Sequence, residues 1–359
     1  MNLTKNSDHN DNNRNVAILG NYNNVNLGGK LTVLTTYSTV TELGFNALMM
    51  RLKEHDDDPK LLYNKLCKFT ESCVDDPEPP SEWNDQFDSF LLCSDWTFAK
   101  NWLIKPEIRF FDWVKDGKDI VSFASSFGGL TGGYLEEDHP LLAKRLNRFT
   151  SLSVRERSGV EICKKVGALH AVHIPDPVFS QKKEHYLKLA GFEAHIAVGC
   201  KYAAVYVVGF SPETVDLAVK TAEKINLKPF FIVAHEDRGS VHLLQNYDHA
   251  LVGSDGVSAW LYYLSNAEYV ITNSFHGTCL SLIFEKNISV IDRAGTYSIR
   301  MRDILSQFGA DNKLIETEDD IATSVESSLN MSLVNMRLDE MYEKTRRFVV
   351  EALSKNDNT

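Results

Sequence analysis

Short apolar runs rich in β-branched residues alternate with helix-spaced stretches along nearly the whole of this chain. They fall at Val16–Tyr22, Phe45–Met50, Phe87–Cys93, Ile120–Ala124, Leu152–Arg155 and Ala171–Ile174. They resume at Ala203–Gly209, Pro229–Ala234, Glu268–Thr272 and Ile288–Ile291. A strand covered on both faces reads as continuously apolar, and a helix between successive strands returns the chain to the same sheet. The alternation therefore predicts an α/β fold with parallel sheets and helices on both faces. Pro175, Pro177 and the polar run Ser180–Glu184 interrupt it. That break divides the chain into a disordered lead-in (1–15), a Rossmann-like domain (16–178), a second Rossmann-like domain (179–330) and a closing helix with its tail (331–359). Leu338, Met341, Tyr342, Val349 and Leu353 share one helical face, so the closing helix is expected to cross back onto the first domain. The charged, proline-punctuated stretch 51–86 reads as one helix with loops.

A net charge of −11 argues against a general nucleic-acid binder, which needs a basic face to neutralise phosphates. An anionic substrate would have to be held by a local cluster of cations. No apolar run approaches the roughly 18–20 residues that cross a bilayer, so no integral membrane segment is expected. The Asn- and Asp-rich start lacks the apolar core of a secretory signal. Cysteines 67, 73, 93, 163, 200 and 279 are scattered without a paired Cys-x-x-Cys, which indicates neither a zinc knuckle nor a disulfide framework. A reducing cytoplasm fits best. His170 and His173 flank one short strand, but no carboxylate or cysteine partner stands at ligand spacing, so no metal site is expected.

The most informative stretch for function is 268–291, EYVITNSFHGTCLSLIFEKNISVI. A buried strand ends at Thr272, and Asn273 and Ser274 are residues that cap helices. Phe275, Cys279, Leu280, Leu282 and Ile283 then follow at helical spacing. In open parallel sheets ligands bind at the strands' carboxyl ends, and a helix start there offers free N–H groups to an anion. Gly277 lets backbone approach, and His276 is the residue type whose charge changes near neutral pH. Arg155 ends another strand, and Arg300 leads a second cationic group with Arg293 and Arg302. Asp95 and Asn21 follow strand ends, and the loop Asn21–Gly29 lacks the spacing of a dinucleotide fingerprint. Lys144, Arg145 and Arg148 read as a solvated face.

Several segments resemble the polysaccharide pyruvyltransferase family. Asp88–Trp96 (DSFLLCSDW) is similar to its strand ending in Gly-Ser-Asp, with Cys93 in place of Gly. Ser122–Gly128 (SFASSFG), which contains Ser126, is similar to its Ala-Ser-Phe-Gly segment. Ser153–Glu161 (SVRERSGVE) is close to its Ser-Val-Arg-Glu-x-Ser-Gly signature, with Asp176-Pro177 after it. The Ser274-Phe275-His276-Gly277 turn and Arg300 before Asp303-Ile304-Leu305 complete the set, while residues 1–85 match poorly. Some branches carry Arg-Leu-His-Gly at the turn. Ser274 cannot supply that charge, and Arg300 or Arg293 is the candidate replacement.

The resemblance implies a GT-B-like fold and transfer of a pyruvyl group from phosphoenolpyruvate, as co-substrate, to a sugar of a cell-surface polysaccharide or its lipid-linked precursor. A cyclic ketal forms across two hydroxyls, without cofactor or metal. A donor with a phosphate and a carboxylate needs two cationic or N–H-rich pockets, and the proton movements need an acid and a base. His276 and Arg155 are accordingly the expected catalytic residues. Asn273, Ser274, Phe275, Gly277, Thr278 and Arg300 are expected at the donor, and Asp95, Asn21 and Ser126 on the acceptor side. Peripheral contact with the inner membrane face would suit a lipid-linked acceptor. The residues alone leave open a GT-B-like glycosyltransferase using a nucleotide sugar, or a non-catalytic sugar-binding relative.

Overall fold

In the computed structural model of the chain, residues 14–354 are described except 23–25, 54, 75–77, 94, 102–103, 130, 193–194, 196, 254–255 and 293–297. The lead-in expected over 1–15 falls outside the described residues up to 13, and Arg293 falls outside them as well.

Two all-parallel sheets carry the chain. The first is built from β1 (Asn15–Leu19), β2 (Asn46–Leu52), β3 (Phe69–Val74), β4 (Ser89–Leu92), β5 (Asp119–Ser125), β6 (Ser151–Val154) and β7 (Val172–His173), in the order β3-β2-β1-β4-β5-β6-β7. The second is built from β8 (Tyr202–Tyr206), β9 (Lys228–Val233), β10 (Asp248–Leu251), β11 (Tyr269–Thr272), β12 (Asn287–Ile291) and β13 (Leu314–Ile315), in the order β10-β9-β8-β11-β12-β13. Each sheet reverses direction once, between β1 and β4 and between β8 and β11, which are the switch points where such sheets open a crevice. The central strands β4, β5, β6, β8 and β11 are buried along their whole length, and the serines among them are accommodated because hydroxyls such as those of Ser122 and Ser153 donate to the carbonyls of the neighbouring strand.

The stretch 51–86 is corrected by the structure. Instead of one helix with loops it holds β3 between two short helices, Leu62–Leu66 and Trp83–Gln86. Strand β3 is an edge strand with an exposed Glu71, and β10 is a polar edge strand of sequence DHAL. Edges carry charge to discourage further pairing, and that same charge erases the apolar signal of a strand.

The first helix, Leu27–Glu42, is buried from Leu27 to Tyr37, threonines included. It can be so because Thr32 and Thr36 donate back to the carbonyls of Gly28 and Thr32 at 3.0 and 2.8 Å, which satisfies their hydroxyls internally. This helix lies between the two sheets and touches Pro177–Ser180 and the helices Val257–Asn266 and Phe275–Ile283. The chain passes from one half to the other between Pro177–Ser180, packed on the first helix, and Lys183–Ala190, packed on Val257–Asn266.

The closing helix, Met331–Leu353, packs against Pro177–Ser180 and β5, with Phe348 stacked on Phe123 at 6.1 Å. Arg14 pins its end by donating to the Leu353 carbonyl at 2.7 Å while its other arm meets Asp119 at 2.6 Å. Leu353 is fully buried, whereas Met336 is exposed. Leu353→Ala should therefore cost about 2–5 kcal/mol, while Met336→Ala should stay within about 0.5 kcal/mol. Urea denaturation of the two variants checks this; equal midpoints would show that the helix end does not stabilise the first domain.

Candidate active site

The carboxyl ends of β4, β5, β6 and β7 in the first sheet and of β11 in the second face one junction, and side chains from both sides meet there. Ser274 caps the helix Phe275–Ile283: its Oγ accepts from the Gly277 N–H at 3.3 Å. The capping turn is braced in turn, because Thr272 accepts from the Ser274 N–H at 3.0 Å. Asn273 brackets the end of β8, accepting from the Val208 N–H at 2.7 Å and donating to its carbonyl at 3.1 Å. Thr278 donates back to the Ser274 carbonyl at 3.0 Å. Asn273 and Thr278, expected at the donor, thus use these polar groups to shape the turn.

Arg155 lies at the centre. Its guanidinium donates to Asp176 at 2.8 Å, to Asp95, to the Ser126 hydroxyl at 3.1 Å and, through Nε, to Glu156 at 3.1 Å. The Phe275 ring covers it at 4.7 Å, so the first half's arginine and the second half's helix start do meet. Arg300 reaches the same carboxylates from the second half, Asp95 at 3.3 Å and Glu156 at 3.9 Å, and lies 5.9 Å from both Trp96 and Phe275. Two guanidiniums therefore face three carboxylates. Burial would raise the Asp95 carboxyl, but Arg155 and Arg300 outweigh it and hold it below its ordinary value. Burial likewise opposes ionisation of Asp176, and His276 and Arg155 reverse the effect. Burial also disfavours charge on Arg155, yet Asp95, Glu156 and Asp176 keep it firmly protonated.

His276 is buried between the halves. Its Nε2 is 3.1 Å from Thr32 Oγ1 and 3.4 Å from Asp176 Oδ2. Thr32 already donates its one proton to Gly28, so both neighbours act as acceptors and the Nε2 proton is assigned to them. The other face of the ring abuts Gly28: a Cβ there would run into His276 Nδ1. The starts of two helices, Leu27–Glu42 and Phe275–Ile283, thus converge on one imidazole. Each brings the positive end of its dipole, and together they favour an anion.

Of the residues singled out from sequence, Arg155, Arg300, His276, Phe275, Asp95 and Ser126 come together. Asn21 is buried beyond β1 and adds no ion pair or hydrogen bond to the cluster among the described residues. Arg145 pairs with Glu107 and Asp112, and Arg148 donates to the Phe111 and Val114 carbonyls, as structural groups do. Gly28, Thr32, Glu156 and Asp176 were not given roles from sequence, although the Asp-Pro of 176–177 was a signal. Among the described residues no group of three His, Cys, Asp or Glu is arranged to hold a metal ion. Non-glycine residues in left-handed backbone flank the junction, Trp96 at φ 61° and Ala124 at φ 48°, a conformation kept only where surroundings enforce it.

Removing one partner of a buried ion pair leaves the others uncompensated and costs about 3–5 kcal/mol. Arg155→Ala should destabilise the protein by that order at neutral pH. The folded-state pKa values of Asp95 and Asp176 lie below the unfolded value of about 3.9. Their stabilisation is therefore complete above that pH and is lost as pH falls through the folded values. The gap between wild type and Arg155→Ala should narrow below about pH 4. Thermal melts from pH 7 to pH 3 test this; a gap that stays constant or widens in acid would contradict it.

No curated protein sequence matches this chain. Solved structures share its fold at low identity. The UDP-GlcNAc 2-epimerase of Neisseria meningitidis bound to UDP-GlcNAc has a TM-score of 0.58 at 11% identity, over 95% of this chain and 100% of that one. The epimerase of Methanocaldococcus jannaschii in complex with UDP-GlcNAc and UDP gives 0.57 at 13% identity, over 95% and 99%. A UDP-glucosyltransferase from Polygonum tinctorium gives 0.52 at 10% identity, over 96% and 99%. These likenesses establish a GT-B-like pair of domains. The profile described as polysaccharide pyruvyl transferase matches residues 26–294, starting well inside the stretch 1–85 where the resemblance was poor. That span takes in Gly28, Asp95, Arg155, Asp176 and His276, and with most of its length matched the chain belongs to the polysaccharide pyruvyl transferase family.

Proposed function

We propose that this protein transfers a pyruvyl group from phosphoenolpyruvate to two hydroxyls of a sugar in a cell-surface polysaccharide or its lipid-linked precursor, forming a cyclic ketal. The observation that carries the reading is the convergence of two helix starts, two arginines and one histidine from both halves on a single buried junction. An enol phosphate with a carboxylate is the kind of donor such a place suits, because its charges meet N–H groups and guanidiniums in a water-poor setting.

The chemistry assigns work to the residues. The donor's C3 must gain a proton, C2 must accept two acceptor oxygens, and phosphate must leave from C2. Arg155, whose guanidinium is taken up by carboxylates, orients the junction and Phe275. Arg300, held at longer distances, and the Phe275–Thr278 helix start take the donor's anionic groups. His276 exchanges the proton with C3 or holds the donor to receive it. The reaction needs no organic cofactor and no metal, and it would proceed in the cytoplasm. Among the described residues no helix is long and apolar enough to cross a membrane, so a lipid-linked acceptor would be met by peripheral contact. A second reading, a glycosyltransferase using a nucleotide sugar, is compatible with the fold, which a UDP-glucosyltransferase shares.

Incubation with phosphoenolpyruvate or UDP-sugars and candidate acceptors separates the two: phosphate release supports pyruvyl transfer, and UDP release supports the alternative. In the active system, His276→Ala should lower turnover by roughly 10²–10⁴-fold with donor binding much less affected. His276→Gln, which hydrogen-bonds but does not titrate, should fail to restore the rate. Gly28→Ala, whose methyl would displace the imidazole, should lower turnover in the same way. If His276→Gln is as active as wild type, the ring orients the donor and moves no proton.

A further inference from the structure

We propose that Glu156 is the general base that takes the proton from an attacking acceptor hydroxyl, a role that rests on the pyruvyl-transfer reading. Glu156 stands at the carboxyl end of β6, one residue before the helix Arg157–Val166, in the position where a side chain would ordinarily cap that helix. It makes no such cap. Its side chain joins the junction instead, where Oε1 accepts from the Ser126 hydroxyl at 2.6 Å and from Arg155 Nε at 3.1 Å.

The other oxygen, Oε2, is buried and has no hydrogen-bond partner among the described residues. Asp176, the neighbouring carboxylate, shows the contrast. Its Oδ1 accepts from the Val178 N–H at 3.0 Å, and its Oδ2 meets Arg155 and His276. Leaving a buried acceptor unsatisfied costs on the order of 1–3 kcal/mol, more for a charged group, and native proteins rarely leave one without a reason. Glu156 also lines a cavity of about 110 Å³ together with Arg155, Phe275 and Arg300. A carboxylate with one oxygen fixed by two donors and the other lacking one, at the wall of that cavity, is set to receive an O–H from a bound alcohol. Ser126 and Arg155 fix its orientation.

The step balances. As the acceptor oxygen bonds to C2 of the enol phosphate, its O–H bond breaks and the proton passes to Glu156 Oε2. The C2=C3 electron pair takes up a proton at C3, which becomes the methyl group. Phosphate leaves with the C2–O bonding pair, and the second hydroxyl closes the ring at C2 and releases its own proton. Of the two hydroxyl protons, one is matched by the proton gained at C3 and the other leaves with phosphate. No oxidant or reductant takes part.

The test uses the full chain with phosphoenolpyruvate and a sugar acceptor on which wild type releases phosphate. Glu156→Gln should lower kcat by roughly 10²–10⁴-fold while phosphoenolpyruvate affinity, measured by calorimetry, changes by less than about threefold, near 0.65 kcal/mol. The fall of kcat in acid that a carboxylate base produces should vanish from its pH profile. Glu156→Asp keeps the charge that offsets the arginines and serves if the glutamine variant does not fold. It should lose at least about tenfold in kcat with donor affinity kept. A variant that retains wild-type kcat and its acid limb overturns the proposal. So does one whose turnover falls only in step with donor affinity, since Glu156 would then merely neutralise the arginines. A wild-type chain that releases UDP from UDP-sugars and no phosphate removes the pyruvyl-transfer reading, and this role with it. An active wild type beside an active Glu156→Gln removes this role alone.

Discussion

A single buried guanidinium, that of Arg155, organises the place where the two halves of this protein meet. It is held by carboxylates from the ends of β4, β6 and β7 and covered by a ring from the second half. Each of those carboxylates is itself buried or nearly so, and for Asp95 and Asp176 the cations beside them outweigh the burial that opposes their charge. The dependence is mutual, which is why the ends of three parallel strands and a helix start from the other sheet are fixed relative to one another. Asp176 extends the arrangement by one step, linking Arg155 to His276 and, through its other oxygen, to the Val178 N–H.

The first helix explains why this junction sits between the halves. It is apolar and threonine-rich, with Lys30 and its last residue, Glu42, as its charged groups, and it packs on β2 and on the helices Val257–Asn266 and Phe275–Ile283. Its start is brought against the start of Phe275–Ile283 so closely that only glycine fits at 28. Two dipoles then point at one imidazole, and the electrostatic preference for an anion follows from backbone alone. That preference matters because the arginines are largely taken up by carboxylates. In a protein of net charge −11, the N–H groups at two helix starts add positive potential beside arginines that carboxylates already hold.

Much of this was legible in the sequence. Fully buried strands such as β4, β8 and β11 announce themselves by short, mostly apolar runs, and Ser274 before Phe275 announces a capped helix. Arg155 and the turn before Phe275 were each legible as lying at a strand's carboxyl end, and the structure brings the two together. Edge strands β3 and β10 were not legible, because exposure gives them polar residues that read as loop. Nor was the partner of His276: Thr32 and Gly28 lie more than 240 residues away, and only the packing of the first helix between the sheets brings them together. The saturation of Arg155 was hidden for a similar reason. Glu156 adjoins it in sequence, but Asp95 and Asp176 reach it only through the order of strands.

The charge balance sets the terms on which an anionic donor is bound. A phosphate or carboxylate arriving at Arg300 must compete with Asp95, which also holds Arg155. Asparagine at 95 would keep the side chain's shape and some of its hydrogen bonding while removing the competing charge. The measurement that bears most directly on the account is the affinity of phosphoenolpyruvate for wild type and for Asp95→Asn, by calorimetry at neutral pH. The account predicts tighter binding in Asp95→Asn, by about threefold or more. Unchanged or weaker binding in a folded Asp95→Asn protein would mean that the donor does not sit at this arginine pair.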